Sequence, residues 1–432
     1  RLMVQLARDE ETTKQRYSVV REDRDNDGDG RRGEDPERGI DVNRNFPEGW
    51  FNDEPDGMKG GSGYYAASSP EARNILEFFT NNTNILLVQS FHTSGGFTYR
   101  PFARWPDSRI AAEDLAVFDQ VMGAKYIELH PDDEDTERLW RPPYRGDRPY
   151  GYGIFIDWAY AQFGAYSMTT ELWNWSRDTR GLPGYNGEDD RNVWYRALLD
   201  HQETAFGGEI FVPWRRYDHP DLGEGEIGGW VSTYVGGNAL PGESLRHVAD
   251  IHWQFELFKA GLLPKLEITS ATAETLTSSG NTRIVKVTAT VENTGQLATQ
   301  LARGANLAGN RQDAIWLIGD RDRVKFLQGS AWQRLGVIAG TMEIPGQEAP
   351  AAAGGRAAGA GGQQQARQMP AGMPMQMMQQ AQGRQGGAQE QEAQTGNTRE
   401  VTWLISIEGN SPLKIVLTSQ KGGTRVQDLS VR

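Results

Sequence analysis

An α/β first half followed by a small all-β domain is what this sequence predicts, and three observations carry the expectation. Residues 1–205 are rich in aromatic, Gly and charged residues and alternate short apolar runs with helix-like segments. Beyond Pro264 the apolar runs become β-type and are separated by Ser, Gly and Asn. The 432-residue length suffices for two or three domains with sizeable cores.

Taken in order, Ser69-Pro70-Glu71 supplies a helix cap, a proline at the first helical position and an early acidic side chain. Ala72 to Phe79 follows as the helix, with Ile75, Leu76, Phe78 and Phe79 apolar. Ile85-Leu86-Leu87-Val88 reads as a strand buried on both faces that ends in Gln89-Ser90-Phe91-His92. In a parallel sheet His92 then sits near a carboxyl strand end, where α/β folds place their ligands. Ala165 to Leu172 is a second strand, delivering Glu171 to the same kind of position. Glu243 to Leu262 is helical, after Gly228-Gly229-Trp230.

Leu266 to Ile268, Ile284 to Val291 and Ala314 to Ile318 are β-type runs that suggest a small β-sandwich. Residues 346–397, dominated by Gly, Gln and Ala, cannot bury enough apolar surface to offset their ordering entropy, and read as a disordered insertion. Strands resume at Val401 to Ile407 and Leu413 to Thr418, so the insertion interrupts the β-domain. The expected division is a first domain over 1–262, a β-domain over 263–345 and 398–432, and the insertion between.

Composition removes whole classes of chemistry. Cysteine is absent, which excludes disulfide scaffolds, thiolate metal sites and cysteine nucleophiles, and leaves His, Asp and Glu as metal ligands. A formal charge of −13 argues against a phosphate-binding surface and against nucleic acid as a partner. No apolar run approaches the roughly 20 residues of a membrane span.

Four constellations could carry chemistry. Asp23-Arg24-Asp25-Asn26-Asp27-Gly28 with Glu34 satisfies the twelve-position calcium loop, making Asp23, Asp25, Asp27, Asp29 and Glu34 candidate calcium ligands. The bland alternative is an acidic, solvated turn. In Asp41-Val42-Asn43-Arg44-Asn45-Phe46, an amide beside a guanidinium makes a receptor for a carboxylate, although Asn-Arg alone is a weak signal. In Ser90-Phe91-His92-Thr93-Ser94-Gly95-Gly96, a strand-end histidine precedes a glycine turn; a lone histidine there is more often structural than a ligand. Finally, Ile156-Asp157-Trp158 precedes Thr169-Thr170-Glu171-Leu172, and a glutamate ending a buried strand is costly unless paired, beside a metal or used as a base.

In this order the segments resemble the zinc carboxypeptidase family of carboxypeptidase A type, over roughly residues 16–205, with 206–262 as an extension. The resemblance implies a doubly wound mixed sheet, bound zinc and hydrolysis of the C-terminal peptide bond of peptides or proteins. It implies that His92 is a zinc ligand, Glu171 the general base, and Asn43 and Arg44 the holders of the substrate's terminal carboxylate. Arg21 matches the arginine that polarises the scissile carbonyl, with Arg24 as fallback. Tyr150 matches the tyrosine that closes over substrate, with Tyr152 as rival. Ile156 matches the base of the side-chain pocket, implying a preference for apolar or aromatic C-terminal residues.

The sequence departs from the family in one respect. The other two zinc ligands come from a His-x-x-Glu segment upstream of Asn-Arg, and no histidine precedes His92. His130-x-x-Asp133 and His247-x-x-Asp250 mimic the spacing in the wrong chain order and read as surface or helix residues. The chain opens at Arg1 without methionine, so the expectation is a sequence lacking its first segment, ligand pair and export signal. The resemblance and the calcium-type loop imply a secreted or periplasmic enzyme. The alternatives are a related zinc deacylase and a calcium-stabilised binding remnant without catalysis.

Overall fold

A computed structural model describes residues 13, 40–51, 61–146, 149–174, 191–208, 210–220, 223–231, 242–344 and 396–431. It divides into two compact units, Arg1–Leu263 with Gln300–Arg311, and Pro264–Thr299 with Gln312–Arg432. Grouping Gln300–Arg311 with the first unit differs from a boundary drawn once near residue 263. The insertion expected at 346–397 lies almost wholly outside the described residues.

The first unit contains a four-stranded mixed sheet. Helix α1 (Pro70–Asn81) starts as its sequence dictates: Ser69 Oγ accepts the Ala72 amide at 3.3 Å and donates to Glu71 at 2.7 Å. Strands β1 (Leu87–Thr93), β2 (Phe97–Tyr99), β3 (Trp140–Arg141) and β4 (Tyr166–Leu172) lie in the order β1-β4-β2-β3. The β1–β4 and β2–β3 pairs are parallel, and β2–β4 is antiparallel. The run Ile85–Val88 was expected to be buried on both faces; instead β1 starts at Leu87 and its burial varies along the strand, with Phe91 49% exposed. An end position in the sheet explains this, because among the described residues β4 is the only strand beside β1.

Helical segments α2 (112–128, with a π turn at Val117–Gly123) and α3 (155–163) fall between strands of this sheet in sequence, before β3 and β4 respectively, and α4 (Arg191–Ala205) follows it. A hairpin of β5 (Phe211–His219) and β6 (Gly223–Trp230) leads to α5 (Glu243–Gly261), as the helical reading of 243–262 anticipates. Phe46, Phe79 and Trp158 form an apolar cluster joining the Asn-Arg segment, α1 and α3. Within the same unit, buried Asp114 accepts the amides of Ala302 at 2.7 Å and Arg303 at 2.9 Å, capping the single-turn helix Ala302–Ala305, and takes the Tyr160 hydroxyl at 2.9 Å.

In the second unit, β7 (Leu266–Ser279), β8 (Thr282–Asn293), β9 (Asp313–Ile318), β10 (Val324–Gln328), β11 (Trp332–Gly336), β12 (Thr398–Glu408), β13 (Leu413–Ser419) and β14 (Gly423–Leu429) form two four-stranded antiparallel sheets, β10-β12-β8-β7 and β11-β9-β13-β14. Both contribute to one core. Val285, Val287, Ala289 and Val291 of β8 and Val401, Trp403, Ile405 and Ile407 of β12 meet Ile315, Leu317, Ile415 and Leu417 of the other sheet. The two-residue spacing within each strand is the period that turns one side chain in two inward.

Candidate active site

The Asn-Arg segment is a 3-10 turn, Val42–Arg44, capped by Asp41, whose Oδ1 accepts the Asn43 amide at 2.9 Å. The next two residues anchor it. Asn45 is fully buried; its Nδ2 donates to the carbonyls of Ser62 at 2.6 Å and Tyr65 at 2.9 Å, and its Oδ1 accepts the Ser69 amide at 2.8 Å. Phe46 is buried against Phe155, ring centroids 5.0 Å apart. With Asn45 and Phe46 held inside, Asn43 and Arg44 face a cavity of about 160 Å³.

Each group on that cavity has a structural reason for its place. Asn43 Oδ1 accepts the Phe155 amide at 2.9 Å, which leaves its NH₂ as the donor end. The Arg44 guanidinium donates to the Asn43 carbonyl at 2.9 Å and lies 6.0 Å from the Tyr150 ring centroid. No ion pair forms to Arg44 among the described residues. Gly153, at φ +56°, makes the approach possible, since a Cβ there would collide with the Arg44 carbonyl oxygen. Ile156, 1% exposed, lies among Tyr99, Ala103 and Ile154 in an apolar lining. Tyr150, 48% exposed, stands against Tyr99 at 5.8 Å.

His92 and Glu171 reach the cavity as direct partners on the parallel strands β1 and β4. Burial pushes the His92 imidazole down, favouring its neutral form; nearby Asp41 opposes this and Arg44 adds to it. Burial also pushes the Glu171 carboxyl up. Just past β4, Trp173 is buried at φ 67°, a left-handed conformation uncommon outside glycine and of the kind that collects at functional sites.

The structure therefore brings Asn43, Arg44, His92, Tyr150, Ile156 and Glu171 to one cavity. Tyr152 faces elsewhere, its ring 5.5 Å from Phe51 and 4.4 Å from the Arg104 guanidinium. Arg21, Arg24 and the calcium-type residues Asp23, Asp25, Asp27, Asp29 and Glu34 lie outside the described residues. His247 is exposed on α5, whereas His130 is buried, its Nδ1 2.8 Å from the Tyr126 carbonyl.

Five cavity residues, Asp41, Tyr99, Pro143, Ile154 and Thr169, were not among the candidates the sequence offered. Asp41 was legible as an Asp two residues before an amide it could cap, and Thr169 by its two-residue offset from Glu171. Tyr99 gave no signal, since β2 is only three residues long.

His92 is the one imidazole on this cavity, and no group of three His, Asp or Glu side chains able to hold a metal exists among the described residues. These residues do not by themselves form a zinc centre.

Residues 265–430 match a domain of unknown function (DUF8731). No curated protein matches the chain. Residues 10–183, which include every group named on the cavity, match the zinc carboxypeptidase family model.

Proposed function

We propose that the first unit is a zinc-dependent carboxypeptidase that removes apolar or aromatic residues from the C-termini of peptides outside the cytoplasm. The second unit is read as an appended β-sandwich. One observation carries the catalytic reading: six residues from four separate stretches of chain, each assigned a role by the family resemblance, line the same cavity. At about 160 Å³ that cavity is well below the roughly 300–1,000 Å³ of a drug-sized site, a size that suits one terminal residue.

The chain's own groups divide the work. Arg44, without an ion-pair partner among the described residues, offers its planar fork to the two oxygens of a terminal carboxylate, and the Asn43 amide adds a donor. Ile156 and Ile154 favour an apolar side chain, and Tyr150 at the rim closes over it. Glu171, raised by burial, accepts a proton more readily than an exposed carboxylate does and passes it to the leaving amine. The family match brings zinc into this reading, and a zinc ion at His92 needs further ligands from outside the described residues.

The test is release of free Phe or Leu from an N-blocked dipeptide, compared with the same dipeptide bearing a C-terminal amide. The acid should be cleaved and the amide resist, because it leaves Arg44 unpaired. Glu171→Gln should abolish release. Equal cleavage of acid and amide, or full activity in Glu171→Gln, overturns the reading. The lack of a three-ligand group among the described residues favours a second reading, a peptide-binding unit without catalysis. That reading requires peptide affinity that collapses with Arg44→Ala while no hydrolysis is detected.

A further inference from the structure

We propose that Lys259, on α5 and beyond the family-matched residues 10–183, is a positioning residue that holds His92 and Glu171 in register from behind the sheet; the proposal rests on the function assigned above. Successive strand residues point to opposite faces, so His92, Thr169 and Glu171 share the cavity side while Gln89 and Thr170 share the other. On that back side a continuous chain of polar contacts crosses three strands. The Lys259 ammonium donates to Gln89 Oε1 at 2.5 Å, and Gln89 Nε2 donates to Thr170 Oγ1 at 3.0 Å. Thr170 and Thr98 then share a hydroxyl contact of 2.7 Å. β1, β4 and β2 are thereby tied together beside the residues that face the cavity.

The tie matters most for β1. Among the described residues this strand pairs only with β4, so the contacts through Gln89, three residues before His92, reinforce it laterally on one side of His92 as the Thr93 hydroxyl bond to the Leu172 carbonyl at 3.2 Å does on the other. Thr98 and Thr170 are fully buried, and Lys259 is 3% exposed. Lys259 also pairs with Glu256 at 2.8 Å and lies 4.4 Å from the Phe255 ring centroid. Burial pushes the ammonium down to about 8, against the pull of Glu256. A buried ion pair adds little stability over well-packed apolar side chains, so global stability is a poor reason for a charge here. Fixing the geometry of a reactive pair is a better one, because small displacements of positioned groups cost rate steeply.

Two substitutions separate positioning from packing. Lys259→Met keeps the stem and removes the charge; Lys259→Arg keeps charge and donors but strains the space. On the blocked dipeptide, Lys259→Met should lose about 10–100-fold in kcat with KM unchanged, since the turn bearing Asn43 and Arg44 is untouched. Lys259→Arg should recover most of that loss. Wild-type kcat in Lys259→Met, or an arginine variant worse than the methionine one, overturns the proposal. Should Lys259→Met fail to fold, Thr170→Val cuts the same chain with little change of shape, and wild-type kcat there is equally fatal. Absence of hydrolysis in the wild type counts against the assigned function instead. Amide hydrogen exchange across residues 90–93 and 169–172 then decides: faster exchange in these variants supports the tie, and unchanged exchange removes it.

Discussion

In the second unit, eight strands turn alternate side chains into one apolar interior; in the first, a four-stranded sheet gives both faces to polar groups, His92, Thr169 and Glu171 toward the cavity and Gln89, Thr98 and Thr170 behind it. The contrast shows how differently the two are held. Apolar alternation fixes register cheaply, because a one-residue slip would turn every inward Val and Ile outward. Where a sheet's inner positions are polar, as at these six residues, that safeguard is missing locally and register is fixed by specific hydrogen bonds, each of which costs free energy if left unmade.

The largest expected effect breaks the comparison from the apolar side. Trp403→Ala empties the centre of the second unit's core and should cost about 3–5 kcal/mol in denaturant unfolding of that unit. Peptide hydrolysis by the first unit is the control; loss of both would show that the two do not fail separately. Arg44→Ala comes next, with an expected rise in KM of about 30-fold, equivalent to about 2 kcal/mol, for a dipeptide acid, while the amide stays as resistant as before. Gly153→Ala acts through the backbone: the new Cβ meets the Arg44 carbonyl at a left-handed position, and a loss of about 1–2 kcal/mol should appear in thermal melts.

A pH series sharpens the comparison further. Burial raises the Asp157 carboxyl of the first unit to about 7 and the Asp313 carboxyl of the second to about 6. An unfolded Asp titrates near about 4, so each fold holds the extra proton between about 4 and its own raised value. Stability from each group therefore falls as pH rises through that window and levels above it. Urea unfolding of wild type against Asp157→Asn should drift to about pH 7, and against Asp313→Asn only to about pH 6. Identical windows would mean the two carboxyls share one environment.

Legibility in the sequence follows the same division. The runs at 284–291, 314–318, 401–407 and 413–418 all fall inside strands, because Val, Ile and Leu at alternate positions leave little choice. β7 extends eleven residues past the expected Leu266 to Ile268, since its remaining Thr, Ser, Ala and Glu carry no apolar rhythm. β10, β11, β14 and the β5–β6 hairpin were not anticipated, being short, mixed or exposed along much of their length. In the first unit α1 was legible from Ser69-Pro70-Glu71 and the apolar residues of Ala72 to Phe79. The grouping of Asn43, Arg44, His92, Tyr150, Ile156 and Glu171 came from an ordered resemblance to a known family. Asp114 and Lys259 left no trace in local sequence, because their partners lie 188 and 170 residues away.

The clamp at Asp114 has a practical consequence for anyone wishing to isolate the peptidase-like half. A gene shortened to stop after residue 263 would delete the amides of Ala302 and Arg303 and strand a sequestered carboxylate with the Tyr160 and Tyr166 hydroxyls as its remaining donors. Such a fragment should express poorly unless the 300–311 strip is grafted back, so the natural seam of this protein is not a single cut.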